Sequence, residues 1–193
     1  MLFLSKEDIK SCFSVKDAIA SVETAFVESF QGNVISPLRT VISAPGGTFL
    51  FMAAYMDSLG YAILKVVNIF PQNYEYHLPA APSSLLLFDG KTGMPLAYLD
   101  GTYITQLRTG GATGAAFRWL GREDARVGTM IGAGGQAEMQ IEAMLAVRHL
   151  CEVHITDASQ KRAEVLAKKC SNNILRLDFW HLRTIEKLLG KRI

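Results

Sequence analysis

Val127-Gly128-Thr129-Met130-Ile131-Gly132-Ala133-Gly134-Gly135-Gln136-Ala137 is the stretch that decides the fold. Its first five residues form a short apolar run with the character of a buried strand. The next six read G-x-G-x-x-A and open a helix that the pattern carries from Gln136 to His149. A second strand-like run, Glu152 to Thr156, ends on an acidic residue, Asp157, which stands 25 positions after Gly132. A glycine motif between strand and helix, followed by a carboxylate at the end of the next strand, is the context of a dinucleotide-binding turn. Gly132 allows the tight turn, and Gly134 lets a pyrophosphate approach the backbone. Ala137 keeps helix and strand close. The amides of Ala133, Gly134, Gly135 and Gln136 at the helix start are the phosphate donors. Asp157 accepts from the adenine ribose hydroxyls and repels a 2′-phosphate, so NAD is favoured over NADP. Arg162, one helical turn on, softens that preference. The competing reading is a bare glycine turn with no ligand.

Outward from the motif, the pattern after Asp124 is β-α-β-α with brief connections, closing with a helix from Gln160 to Lys169. This predicts a parallel sheet. A third parallel strand over Ile174 to Phe179 and a short helix over Leu182 to Leu189 complete the reading, although Arg176 and Asp178 suit a buried strand badly. Before the motif the pattern differs. Val15, Ile19, Val22 and Phe26 mark one face of a helix that stops at Gly32-Asn33. Ser14 and Asp17 have the spacing of a capping box. Strand-like runs follow over Val34 to Ser43, Thr48 to Ala54, Ala62 to Phe70, Ser84 to Phe88 and Leu96 to Leu99. The short turns between them favour antiparallel neighbours. Thr102 to Leu120 is a helix rich in small residues. Its glycines at 110, 111 and 114 cost roughly 1 kcal/mol each against alanine, which calls for close approach of another backbone. The expected fold class is α/β. Residues 1–122 form an α+β domain with a mostly antiparallel sheet, and residues 123–193 form a parallel βαβ domain.

Composition excludes several classes of function. The 193 residues carry 20 Lys and Arg against 18 Asp and Glu, a net charge of +2, so there is no electrostatic case for nucleic acid as a partner. Apolar residues make up 49%, enough for a real core. No apolar run reaches the roughly 18 residues of a spanning helix, so no membrane role is expected. The start turns acidic at Glu7-Asp8, too early for a signal peptide. Cys12, Cys151 and Cys170 are sparse and scattered, which fits a reducing cytoplasm and neither a disulfide framework nor a zinc site. His149, His154 and His181 lack ligand spacing, so no metal is expected.

Three cations lie in apolar settings: Arg39 in Pro37-Leu38-Arg39-Thr40-Val41, Lys65 in Ala62-Ile63-Leu64-Lys65-Val66-Val67, and Arg108 in Ile104-Thr105-Gln106-Leu107-Arg108-Thr109. Each taken alone reads first as a surface charge. Together they have the chemistry to clamp a carboxylate, because guanidinium forks match that group. Periodicity does not show whether they converge.

Four stretches then carry a family resemblance. They are Ser36-Pro37-Leu38-Arg39; Leu64 through Asn73; Phe88 through Ala97 with Leu107-Arg108-Thr109-Gly110; and the glycine motif through Asp157. Over residues 1 to about 170 the sequence resembles the ornithine cyclodeaminase/mu-crystallin family of NAD(P)-dependent proteins. The resemblance implies a substrate-binding and dimerisation domain followed by a Rossmann domain, and hence a homodimer. It implies that Arg39, Lys65 and Arg108 hold a substrate carboxylate, that Lys65 also serves proton transfer, and that Thr109 touches the cofactor. The implied chemistry is NAD-dependent conversion of an L-amino acid through an imine. Ornithine to proline plus ammonia is the eponymous case, and dehydrogenation of other amino acids or imine reduction is the variant. A non-catalytic nucleotide- and ligand-binding protein like mu-crystallin is the alternative, and an inactive remnant is the third reading. Two departures bear on this. Thr48-Phe49-Leu50-Phe51-Met52 lacks the acidic residue that ornithine cyclodeaminases resemble one another in. Family members are also longer, so the reading expects a Rossmann domain cut short before the family's catalytic aspartate, and no residue here takes that role.

Overall fold

The computed structural model describes residues 1–170 and 177–179. By compactness the chain divides into two units, Met1–Ser14 with Glu23–Thr105, and Val15–Val22 with the chain from Gln106 onward. The compact units therefore divide inside two helices, whereas the sequence pattern changes near residue 122.

The first unit is built on one sheet. Its strands are β1 (Leu2–Leu4), β2 (Val34–Ile35), β3 (Thr40–Ala44), β4 (Gly47–Met56), β5 (Tyr61–Ile69), β6 (Ser83–Asp89) and β7 (Pro95–Asp100). The order is β1-β7-β6-β5-β4-β2, and β3 also pairs with β4. All pairs are antiparallel except β1 with β7. The predicted strand over Val34 to Ser43 is thus two strands. Pro37 lies in the break, where a missing amide cannot feed a ladder. The turn at Gly90-Lys91-Thr92-Gly93 is tied by the Asp89 carboxylate, which accepts from Lys91 N at 3.1 Å and Thr92 Oγ1 at 2.6 Å.

The N-terminus holds more structure than its pattern suggests. After β1 comes a helix, α1 (Lys6–Cys12), opened by a full capping box between Ser5 and Asp8. Helix α2 (Val15–Phe30) follows; of the expected apolar face, Val15 and Ile19 are buried, Val22 is half-buried and Phe26 is exposed.

The second unit holds helix α3 (Gly101–Leu120) from Gln106 on, then β8 (Val127–Ile131), α4 (Ala137–Val147), β9 (Glu152–Thr156), α5 (Gln160–Cys170) and β10 (Leu177–Phe179). The order β10-β9-β8 is parallel throughout, as the β-α-β pattern requires. The predicted helix over Leu182 to Leu189 lies outside the described residues. Ile141, Met144, Val153, Ile155, Leu166 and Ala167 form the core between helices and sheet.

The small residues of α3 have the expected use. A Cβ at Gly111 would sit 2.8 Å from the carbonyl oxygen of Ala18 on α2. One at Gly110 would meet Met139 of α4 at 2.6 Å, and one at Gly114 would meet Ile19 at 2.6 Å. Three helices pack here at distances that side chains would forbid.

Candidate functional site: the glycine turn and the carboxylate clamp

Strand β8 delivers the chain to Gly132, whose φ of +99° lies in the region that glycine alone adopts without strain. Its amide donates to the carbonyl of Thr156 at 2.7 Å, and the next amide, Ala133 N, donates to Asp157 Oδ2 at 2.7 Å. Gly134 and Gly135 are exposed. A Cβ at Gly134 would meet nothing within 4 Å, so the fold itself does not demand glycine there. The space that a side chain would fill is the approach that a pyrophosphate needs. Ala137 is 1% exposed at the start of α4, consistent with its close-packing role. Gln136 precedes the helix without a side-chain capping bond, and its Oε1 is buried with no partner among the described residues. Ala137 N, the first amide of α4, donates to the Gly134 carbonyl at 3.0 Å and Ala133 N to Asp157, so the expected phosphate donors that these bonds leave are the amides of Gly134, Gly135 and Gln136.

Asp157 follows β9 and is 6% exposed at its side chain. Besides Ala133 N on Oδ2, its Oδ1 accepts from Ser159 N at 2.7 Å and from Arg162 Nε at 3.0 Å and Nη2 at 2.7 Å. The Ala133 amide, the Ser159 amide and the Arg162 guanidinium, in that order, hold the carboxyl down at about 2 against an ordinary 3.8. Arg162 is 62% exposed at its side chain, and its fork is turned onto Asp157. The backbone partners Thr156 and Ser159 are not legible as residue types. The one available signal is the Asp157-Ala158-Ser159 spacing, which suits an Asx turn.

Lys65 lies mid-strand in β5, at 8% exposure a buried charge in the first unit. It stands between Met52 of β4 and Leu85 of β6. A lysine held there needs polar company, because burial of an isolated charge is costly. Arg39 is exposed and immediately precedes β3. The outermost pair of β3 with β4 is Thr40–Phe51, so Arg39 lies just outside that ladder, while Met52 of β4 pairs with Lys65. Arg39 is exposed and Lys65 is buried, and the ladder of β3 with β4 does not include Arg39. Arg108 is exposed on α3 beside half-buried Thr109, in the second unit. Strand β4, from Gly47 to Met56, carries no ionisable carboxylate.

A parallel β-α-β unit with this turn, in a chain whose other unit is a largely antiparallel sheet, defines an α/β protein with a Rossmann-like fold. The chain belongs to the ornithine cyclodeaminase/mu-crystallin family, whose profile matches residues 1–179. It is 36% identical over 171 residues to alanine dehydrogenase of Archaeoglobus fulgidus, covering 89% of this chain and 52% of that protein. Among solved structures it superposes on Δ1-pyrroline-2-carboxylate reductase of Thermococcus litoralis, solved with NADH and L-proline. The TM-score is 0.88 at 38% identity, covering 94% of this chain and 57% of the other. It superposes also on an archaeal alanine dehydrogenase dimer with bound NAD, with a TM-score of 0.86 at 34% identity over 93% and 56% of the two chains. The chain spans about half the length of the curated relatives it matches. Among the described residues no helix is long and apolar enough to cross a membrane.

Proposed function

We propose that this chain holds NAD on the β8–α4 turn and, with its clamp of cations, takes the carboxylate of a small L-amino acid or its imine. The observation that carries this reading is the turn. It combines a positive φ at Gly132, open space at Gly134 and a fully ionised Asp157 at the end of β9. The amides of Gly134, Gly135 and Gln136 hold the pyrophosphate, and Asp157 holds the adenine ribose. The Asp157 charge sets NAD ahead of NADP. NAD, when bound, supplies a hydride acceptor, and NADH a donor.

The protein's own groups do the rest. Arg39, Lys65 and Arg108 bind the carboxylate and fix the α-carbon. Lys65, buried on β5, serves proton transfer at the amine or imine nitrogen. Thr109, beside Arg108, is the weaker cofactor contact. With no carboxylate on β4 to receive a distal amine, the side chain that fits is small and uncharged, or closed into a ring. That favours alanine-type oxidation or cyclic imine reduction over ornithine cyclisation, in keeping with two of the relatives named above. The acting species is a homodimer in the cytoplasm.

Calorimetric titration with NADH and then NADPH tests the reading. Tighter binding of NADH, followed by NADH production from NAD with a small L-amino acid, is expected. No binding of either nucleotide would sink it.

A further inference from the structure

The carboxylate of Asp157 accepts from four donors, and only one of them belongs to the glycine turn. Oδ1 is taken by Ser159 N and the Arg162 fork, all on its own side of the sheet. Oδ2 reaches across to Ala133 N at 2.7 Å, beside the bond from Gly132 N to the Thr156 carbonyl. The turn between these points and α4 contains Gly134 and Gly135, and glycine loses more freedom on ordering than any other residue. An anionic acceptor on a backbone amide is the stronger kind of hydrogen bond.

We infer that Asp157 is a positioning residue for the glycine turn, and that it holds the phosphate cradle in shape through Ala133 N before any nucleotide arrives. This rests on the reading of that turn as a nucleotide site, and it adds a second task to a carboxylate whose expected task is the ribose. Arg162 and Ser159 anchor the carboxylate from the other oxygen, so that Oδ2 faces the turn.

Amide hydrogen exchange on the nucleotide-free protein tests the inference directly. In Asp157→Ala, exchange at Ala133 N–H should rise about tenfold, the loss expected for a charge-assisted bond, while Ile155 in β9 stays unchanged. Unchanged exchange at Ala133, or equal acceleration at Ile155, overturns the inference. Asp157→Asn keeps an acceptor for one of the two amides and should fall between wild type and Asp157→Ala, which gives a second reading where the alanine variant folds poorly.

A second measurement uses 2′,3′-dideoxyadenosine 5′-diphosphate, which lacks both ribose hydroxyls. If Asp157 acted on the ribose alone, Asp157→Ala would leave this probe unaffected or, with a negative charge removed beside a diphosphate, tighten it. A loosened cradle instead weakens it several-fold. Failure of wild type to bind NADH would remove the cofactor reading and leave the exchange result standing.

Discussion

Asp157 titrates at about 2, well below its ordinary 3.8. Because the folded value is the lower one, its contribution to stability is fully present above 3.8 and is lost as pH falls toward 2. Urea midpoints measured down that window should decline in wild type and decline less in Asp157→Asn, which has no proton to take up. Equal slopes would show that the carboxylate's bonds do not persist in solution. Spacing and chain order placed Asp157 at the end of its strand. They did not reveal that Ala133 and Ser159 donate to it, because backbone direction is a property of geometry and not of residue type. Arg39 and Lys65 illustrate the same boundary. Each was visible as a cation in an apolar setting, but the burial of Lys65 and the exposure of Arg39 depend on strand register, and Pro37 splits the run before Arg39.

At the level of elements, α3 makes the sharpest claim. An exposed glycine in a helix is improved by alanine by roughly 1 kcal/mol. At Gly111 the added methyl would meet the backbone oxygen and carbon of Ala18 at 2.8 and 2.9 Å, and backbone atoms cannot rotate aside. Overpacking of this kind costs about 1–3 kcal/mol, so Gly111→Ala should lower the urea midpoint. A midpoint equal to or above wild type would mean that the helices can part. The glycine content of α3 announced close packing but not against which partners. The strands from β4 to β9 and the helices α3 to α5 followed their patterns to within a few residues. The N-terminal pair β1 and α1 did not, because runs of three and seven residues are too short to display a period.

At the scale of the molecule, apolar exposure among the described residues concentrates on the first unit. Val41 is 54% and Ile42 51% exposed on β3, and Leu2 and Phe3 are 57% and 65% exposed on β1. Large apolar groups in such number favour covering by another surface. Sedimentation equilibrium is expected to return twice the 21.2 kDa chain mass at micromolar concentration, as the proposed homodimer requires. A monomer under those conditions would contradict it. Strand β8 has a different bearing. Among the described residues it pairs with β9 alone, and β9 with the residue after it also supplies the carbonyl and the carboxylate that seat Gly132 and Ala133. Among the described residues its ladder is one-sided. Anyone grafting this turn into another scaffold would gain little from the six residues of the motif. The portable piece is the segment from Val127 to Arg162, in which the cradle travels with its own mount.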